Sequence, residues 1–218
     1  MKKIFTPHSL QKIILALLCA THIPSSHLYA LTASKTISKT MQTPETFVRE
    51  LLSEAVSTLN EKNLSTAEKE KKFVALFRER FHLRSIAGST LRRGEVKTIS
   101  PEKLERFLKL FEAMIFRIYM KQIEQLSLNG FKVSSIADQE EGGKLIKTII
   151  ERKDNPTPFE VDWILYTLDG TLKIFDVVVD SISMGQIQRQ KIQDIRQGGN
   201  FDLLLTQMEN EYAAGVIP

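Results

Sequence analysis

The chain has 218 residues, 42% hydrophobic and 26% charged, with a formal net charge of +4. That composition is ordinary for a globular protein, and the length suits one domain with a sizeable core. No clustered basic footprint accompanies the positive balance, which argues against a nucleic-acid partner.

The first thirty residues have the build of a secretory signal peptide. Lys2, Lys3 and Lys12 precede the unbroken apolar run Ile13 to Ala20, and a polar segment ends at Ala30. The run is far short of the ~20 residues a spanning helix needs. Residues 1–30 are therefore expected to be removed on export. Removal would leave 27 basic and 26 acidic residues, no cysteine, and His82 as the sole histidine. The exported chain would then hold its core without disulfides.

Residues 31–42 are polar and aperiodic and are expected to form a flexible lead-in to a single domain over 43–212. Thr43-Pro44-Glu45 marks a helix start, with Thr as cap and Pro at the first helical position. Phe47, Leu51, Leu52, Ala55, Val56 and Leu59 make its apolar stripe. Ser65 to Glu68 is a capping box opening a second helix, striped by Phe73, Leu76, Phe77 and Phe81. A short third helix is expected between His82 and Leu91, followed by a turn at Arg92 to Glu95. Ser100-Pro101-Glu102 opens the longest helix, whose apolar set runs from Leu104 to Tyr119 and whose end is expected near Leu126, before Asn129-Gly130. That wide, aromatic-rich surface is either a central core helix or, in part, the wall of a cavity.

Strand signals follow: Phe131 to Ala137, Lys144 to Arg152, and two β-rich runs flanking Asp169-Gly170, a type I′ turn signal. Pairing 168 with 171 and counting outward puts Val161, Trp163, Leu165, Leu172, Ile174 and Val178 on one face, with Asp176 opposite Trp163. The other face is also apolar near its centre, so something must cover each. Ser183 with Gln186 caps a helix reaching about Gln197, and Asn200 caps a last short one. The pattern predicts an α+β domain: a curved four-stranded antiparallel sheet with about six helices.

Catalytic chemistry is thinly represented. A single histidine cannot supply a zinc-type ligand set, no nucleophile elbow occurs, and Gly142-Gly143-Lys144 lacks phosphate-loop spacing. His82 reads as a structural histidine. Asp176 on an apolar face needs an explanation, because burying a bare carboxylate is unfavourable. It could accept hydrogen bonds from a backbone end, pair with Arg189, or serve as a general base.

The ordered set Trp163-x-Leu165, Leu172 to Val179 and Ser181-Ile182-Ser183-Met184 resembles the signature of the MlaC family. These are periplasmic phospholipid carriers, also called toluene-tolerance auxiliary proteins. Asp176, Ser183, Arg189, Gly198-Gly199 and Leu204 match its pattern, as do Thr43-Pro44-Glu45 and the helix from Phe111 to Tyr119. The likeness spans roughly 44–210 in the same order of elements. Trp163, Leu172 and Gln188 depart from it, standing where the family has Tyr, Trp and Tyr.

The resemblance implies a non-enzymatic carrier in the periplasm, with no cofactor or metal, holding phospholipid as cargo in an apolar pocket between sheet and helices. The implied partners are an inner-membrane lipid ABC transporter and an outer-membrane lipoprotein acceptor, serving outer-membrane lipid asymmetry; a monomer is expected. Two acyl chains exposed to water are unfavourable by roughly 20 kcal/mol at ~0.8 kcal/mol per methylene, so such a pocket must be deep. The expected lipid contacts are Phe111, Met114, Ile115, Ile118 and Tyr119 on the long helix. Trp163, Leu165, Ile174 and Val178 on the sheet join them, with Ile187 beyond. Alternatives are a hopanoid or other polycyclic cargo, a small hydrolase or isomerase using Asp176, and an envelope scaffold.

Overall fold

The structure, a computed structural model, describes residues 42–123, 128–153 and 155–213. The expected signal peptide and nearly all of the lead-in lie outside these residues, as does the expected helix end at Leu126.

Six α-helices and one antiparallel sheet occupy the described residues. Helix α1 (Pro44–Asn60) starts where Thr43 Oγ1 accepts from the Thr46 amide, and α2 (Thr66–Arg80) starts from the capping box of Ser65 and Glu68. Helix α3 (Leu83–Thr90) and the long α4 (Pro101–Ile123) follow. Strands β1 (Leu128–Asp138), β2 (Lys144–Arg152), β3 (Phe159–Leu168) and β4 (Thr171–Val179) form the meander. Strand β1 begins earlier than expected, so Asn129-Gly130 belongs to its start. After β5 (Ile182–Ser183), the chain closes with α5 (Met184–Arg196) and α6 (Phe201–Tyr212).

The sheet has five strands in the order β1-β2-β3-β4-β5, not four. The fifth is two residues long and pairs Ile182 and Ser183 with Val179 and Val178. Asp180 and Ser181 turn the chain with φ of 46° and 68°, a left-handed pair without glycine. A two-residue strand shows no period, which is why the sequence reads it only as a helix cap.

The central hairpin pairs Leu168 with Thr171 through Leu165 with Ile174, as counting from the turn predicts. Beyond that the register slips. Ile164 faces Asp176 and Trp163 faces Val177, leaving Phe175 as the extra residue of a β-bulge. The slip coincides with a second partner for β4: the His82 amide donates to the Ile174 carbonyl at 2.9 Å where the α2–α3 link runs alongside. One inserted residue exchanges the two faces for everything after it. Val177 and Val179 therefore join Trp163, while Asp176 and Val178 turn to the opposite face, reversing the sequence-based assignment.

Two hydrophobic clusters result. The first is walled by α1, α2 and the Trp163 face of the sheet, with Phe116 and Met120 of α4. The second lies among α3, α4, α5 and α6, around Phe107, Phe111, Met114, Ile192 and Leu204. Helix α4 belongs to both, one flank to each. Bidentate Arg78–Glu112 ties it to α2, and Arg106–Glu209 ties it to α6.

Candidate functional site

The last full turns of α4, the outer flank of α5 and the end of α6 enclose a cleft of about 510 Å³. Such a volume suits a small-molecule ligand, for which pockets run about 300–1,000 Å³. Its position follows from spacing. Ile118 and Tyr119 sit three and four residues beyond Ile115, so they continue the buried stripe of α4 to the point where it leaves the helical cluster. Ile187, Lys191 and Asp194 of α5 share one face at four- and three-residue intervals. Tyr212 closes the far side, its side chain in the helical cluster.

The floor is apolar with a polar inset. Gln188, 3% exposed, donates through Nε2 to Tyr119 Oη, and the Tyr119 hydroxyl lies 4.0 Å from Met184 Sδ. Burial pushes the Tyr119 phenol up to about 12, with the Gln188 bond opposing in part, so it stays protonated at any physiological pH. Burial likewise raises Tyr212, helped by its 2.5 Å bond to Glu211. Charges of both signs form the rim: Arg117 and Lys191 against Asp194 and Glu211. Arg117 donates to the Glu211 carbonyl and lies over the Tyr212 ring at 5.7 Å. Lys191 and Glu211 are 3.6 Å apart, both substantially exposed, so their pairing contributes little and is easily exchanged.

Of the ten residues expected to contact lipid, Ile118, Tyr119 and Ile187 line this cleft. Ile115, Met114 and Phe111 lie further along the same helix, buried in the helical cluster. Trp163, Leu165 and Ile174 are fully buried in the other cluster, on the far flank of α4. Val178 is half-buried on the opposite face of β4 and pairs with Ser183. The ten therefore fall into separate groups rather than around one hollow. Sequence reasoning missed Arg117, Gln188, Gln190, Lys191, Asp194, Glu211 and Tyr212. The periodicity of α5 could have suggested the lysine and aspartate, but nothing local to α6 shows that its end meets α4.

Asp176 is accounted for by local structure. Its Oδ1 accepts from the Val177 and Gly185 amides at 2.8 and 2.9 Å, and its Oδ2 accepts from the Ser183 hydroxyl at 2.5 Å. Ser183 in turn caps α5 at the Gln186 amide. A negative charge here also complements the helix N-terminus. A Cβ at Gly185 would come within 3.3 Å of Asp176 Oδ1, so a larger residue there would push the carboxylate by a few tenths of an ångström. Arg189 is not the partner: it donates to the Ser89 carbonyl of α3 at 2.9 Å. His82 is structural, bonded to Ser85 at 2.7 Å and stacked on Phe175 at 5.0 Å.

The MlaC protein family model matches residues 49–210. A phospholipid-binding protein from Ralstonia solanacearum, solved in complex with a phospholipid, has the same fold with a TM-score of 0.64. The alignment covers 78% of this chain and 97% of that chain at 12% identity, a likeness of fold. Among curated protein sequences none matches significantly.

Proposed function

We propose, for a chain that belongs to the MlaC protein family, that it is a phospholipid-binding carrier working in the periplasm. In this reading it exchanges cargo with an inner-membrane lipid transporter and an outer-membrane lipoprotein acceptor. The observation that carries it is the cleft: an apolar floor continuous with the buried stripe of α4, open at a rim of mixed charge. An amphiphile fits such a gradient, tail inward and head at the rim.

In this reading, depth comes from re-packing along α4. The cleft lining ends at Ile118 and Tyr119; tails reaching further would have to part the packing of Ile115, Met114 and Met208, which are buried in the same cluster. Unbranched thioether chains re-pack around irregular guests more readily than branched ones. Each methylene that moves from water to this lining contributes ~0.8 kcal/mol. Binding, not catalysis, is also what the acid inventory favours, because both oxygens of Asp176 are engaged in the start of α5.

The test is native mass spectrometry of the exported chain purified from a lipid-containing host, with analysis of the extracted lipid. Stoichiometric phospholipid is expected, lost on Ile187→Glu, which puts a charge on the cleft floor. A polycyclic lipid would replace the cargo assignment. Protein that stays empty when offered phospholipid vesicles would overturn carriage altogether.

A further inference from the structure

The flank of α5 away from the cleft gathers positive charge. Arg189, Gln193 and Arg196 recur there at four- and three-residue intervals, about half a turn round the helix from Ile187, Lys191 and Asp194. Each reaches the end of α3 or the loop that follows it. Arg189 donates to the Ser89 carbonyl at 2.9 Å, Gln193 to the Thr90 carbonyl at 3.0 Å, and the fully buried Arg196 to Glu95 at 3.0 Å. In the other direction, Arg92 donates to the Gly198 and Gly199 carbonyls, both at 3.1 Å. These bonds fasten residues 92–97 to α5 and set the exposed Arg92, Arg93, Lys97 and Arg189 on one side of the molecule.

The charge of that side is not cancelled locally. Arg92 and Arg189 are bonded to carbonyls, which carry no net charge, and Arg93 and Lys97 form no ion pair among the described residues. Glu95 is the acid of the loop, and Arg196 neutralises it from beneath. Glu102 follows at the start of α4, where the helix N-terminus compensates it. Between Arg93 and Lys97 the single 3₁₀ turn Glu95–Lys97, entered through Gly94 at φ 80°, holds out Val96, 39% exposed. Its Cγ2 lies over Gly88 of α3, 3.6 Å from where a Cβ would stand. An apolar side chain set between cations matches a lipid interface, where the apolar tip enters the headgroup layer and the cations meet phosphates. An acidic protein segment would use the cations alone.

We propose that the face formed by Arg92, Arg93, Val96, Lys97 and Arg189 docks the protein on an anionic phospholipid bilayer. The contact is transient, since each cation contributes only about five-fold to partitioning and loses that contribution as salt rises. It leaves the cleft, on the other flank of α5, uncovered, and does not depend on what the cleft carries. The experiment floats the exported chain with vesicles of pure phosphatidylcholine and of phosphatidylcholine mixed with phosphatidylglycerol, at low and at high salt. Flotation is expected with the phosphatidylglycerol vesicles at low salt, and its loss at high salt. Arg93→Gln combined with Lys97→Gln is expected to weaken partitioning about twenty-five-fold, and Val96→Ser a few-fold with the salt dependence kept. All three side chains are exposed, so the urea midpoint should stay that of the unaltered protein. Equal flotation with the two vesicle types, or no loss in either variant, overturns the assignment. Salt-sensitive retention on immobilised polyglutamate without vesicle binding overturns it too, and gives the face to an acidic protein segment. None of these results bears on carriage, which the cargo analysis tests separately.

Discussion

Each of the two hydrophobic clusters holds a buried polar relay, and the two relays end differently. On the sheet side, Trp163 Nε1 donates to Thr148 Oγ1 at 3.0 Å, and that hydroxyl donates to the Val161 carbonyl at 2.9 Å. The chain of donors ends on an acceptor, and both side chains are wholly shielded from water. On the helix side, the comparable relay from Gln188 to Tyr119 leaves Oε1 unsatisfied at the edge of a cleft. A fully satisfied network rigidifies the place it occupies, whereas a buried acceptor left unpaired is unfavourable. The sheet side is thus the scaffold, and the helix side is where binding is to be sought.

The contrast is most easily broken at Trp163. Trp163→Ala removes the largest fully buried side chain and leaves Thr148 with only its bond to the Val161 carbonyl, and should lower stability by roughly 3–5 kcal/mol in urea unfolding. Ile187→Glu should change the unfolding midpoint far less while abolishing lipid retention. If the two variants exchange phenotypes, the division into scaffold and binding side is wrong. A smaller effect is expected at the boundary between them. Asp176→Asn keeps the shape but weakens charge-assisted bonds to Gly185 and Ser183, with a loss of about 1.5–3 kcal/mol. Retained lipid binding in a folded Asp176→Asn protein would fix the residue as structural.

The smallest effect is a pH dependence. His82 is held below its ordinary value of 6.5, first by burial and then by Lys173 and Arg84. The folded state therefore prefers the neutral ring, and the unfolded chain takes up the proton first as pH falls. The stabilisation is complete above about pH 6.5 and declines as pH falls from there through the depressed folded value. His82→Gln should flatten the fall in urea midpoint between pH 7.5 and 5; an unchanged slope would exclude His82 as its source.

Much of the architecture was present in the sequence, because it is written in short-range chemistry. Thr43, Ser65, Ser183 and Asn200 cap the helices they were expected to cap, since a side-chain oxygen two or three residues before a free amide needs no distant partner. Asp169-Gly170 set the hairpin turn for the same reason, with both φ values positive. Tertiary structure decided what local pattern cannot encode. The bulge at Phe175 arises where the α2–α3 link approaches β4, and it moved Asp176 off the core face and Val179 onto it. The separation of Phe111 and Met114 from Trp163 depends on which flank of α4 each element packs against. The cleft brings together α4, α5 and α6, which meet only when the chain is folded, so its charged rim carries no signature in any single stretch of sequence.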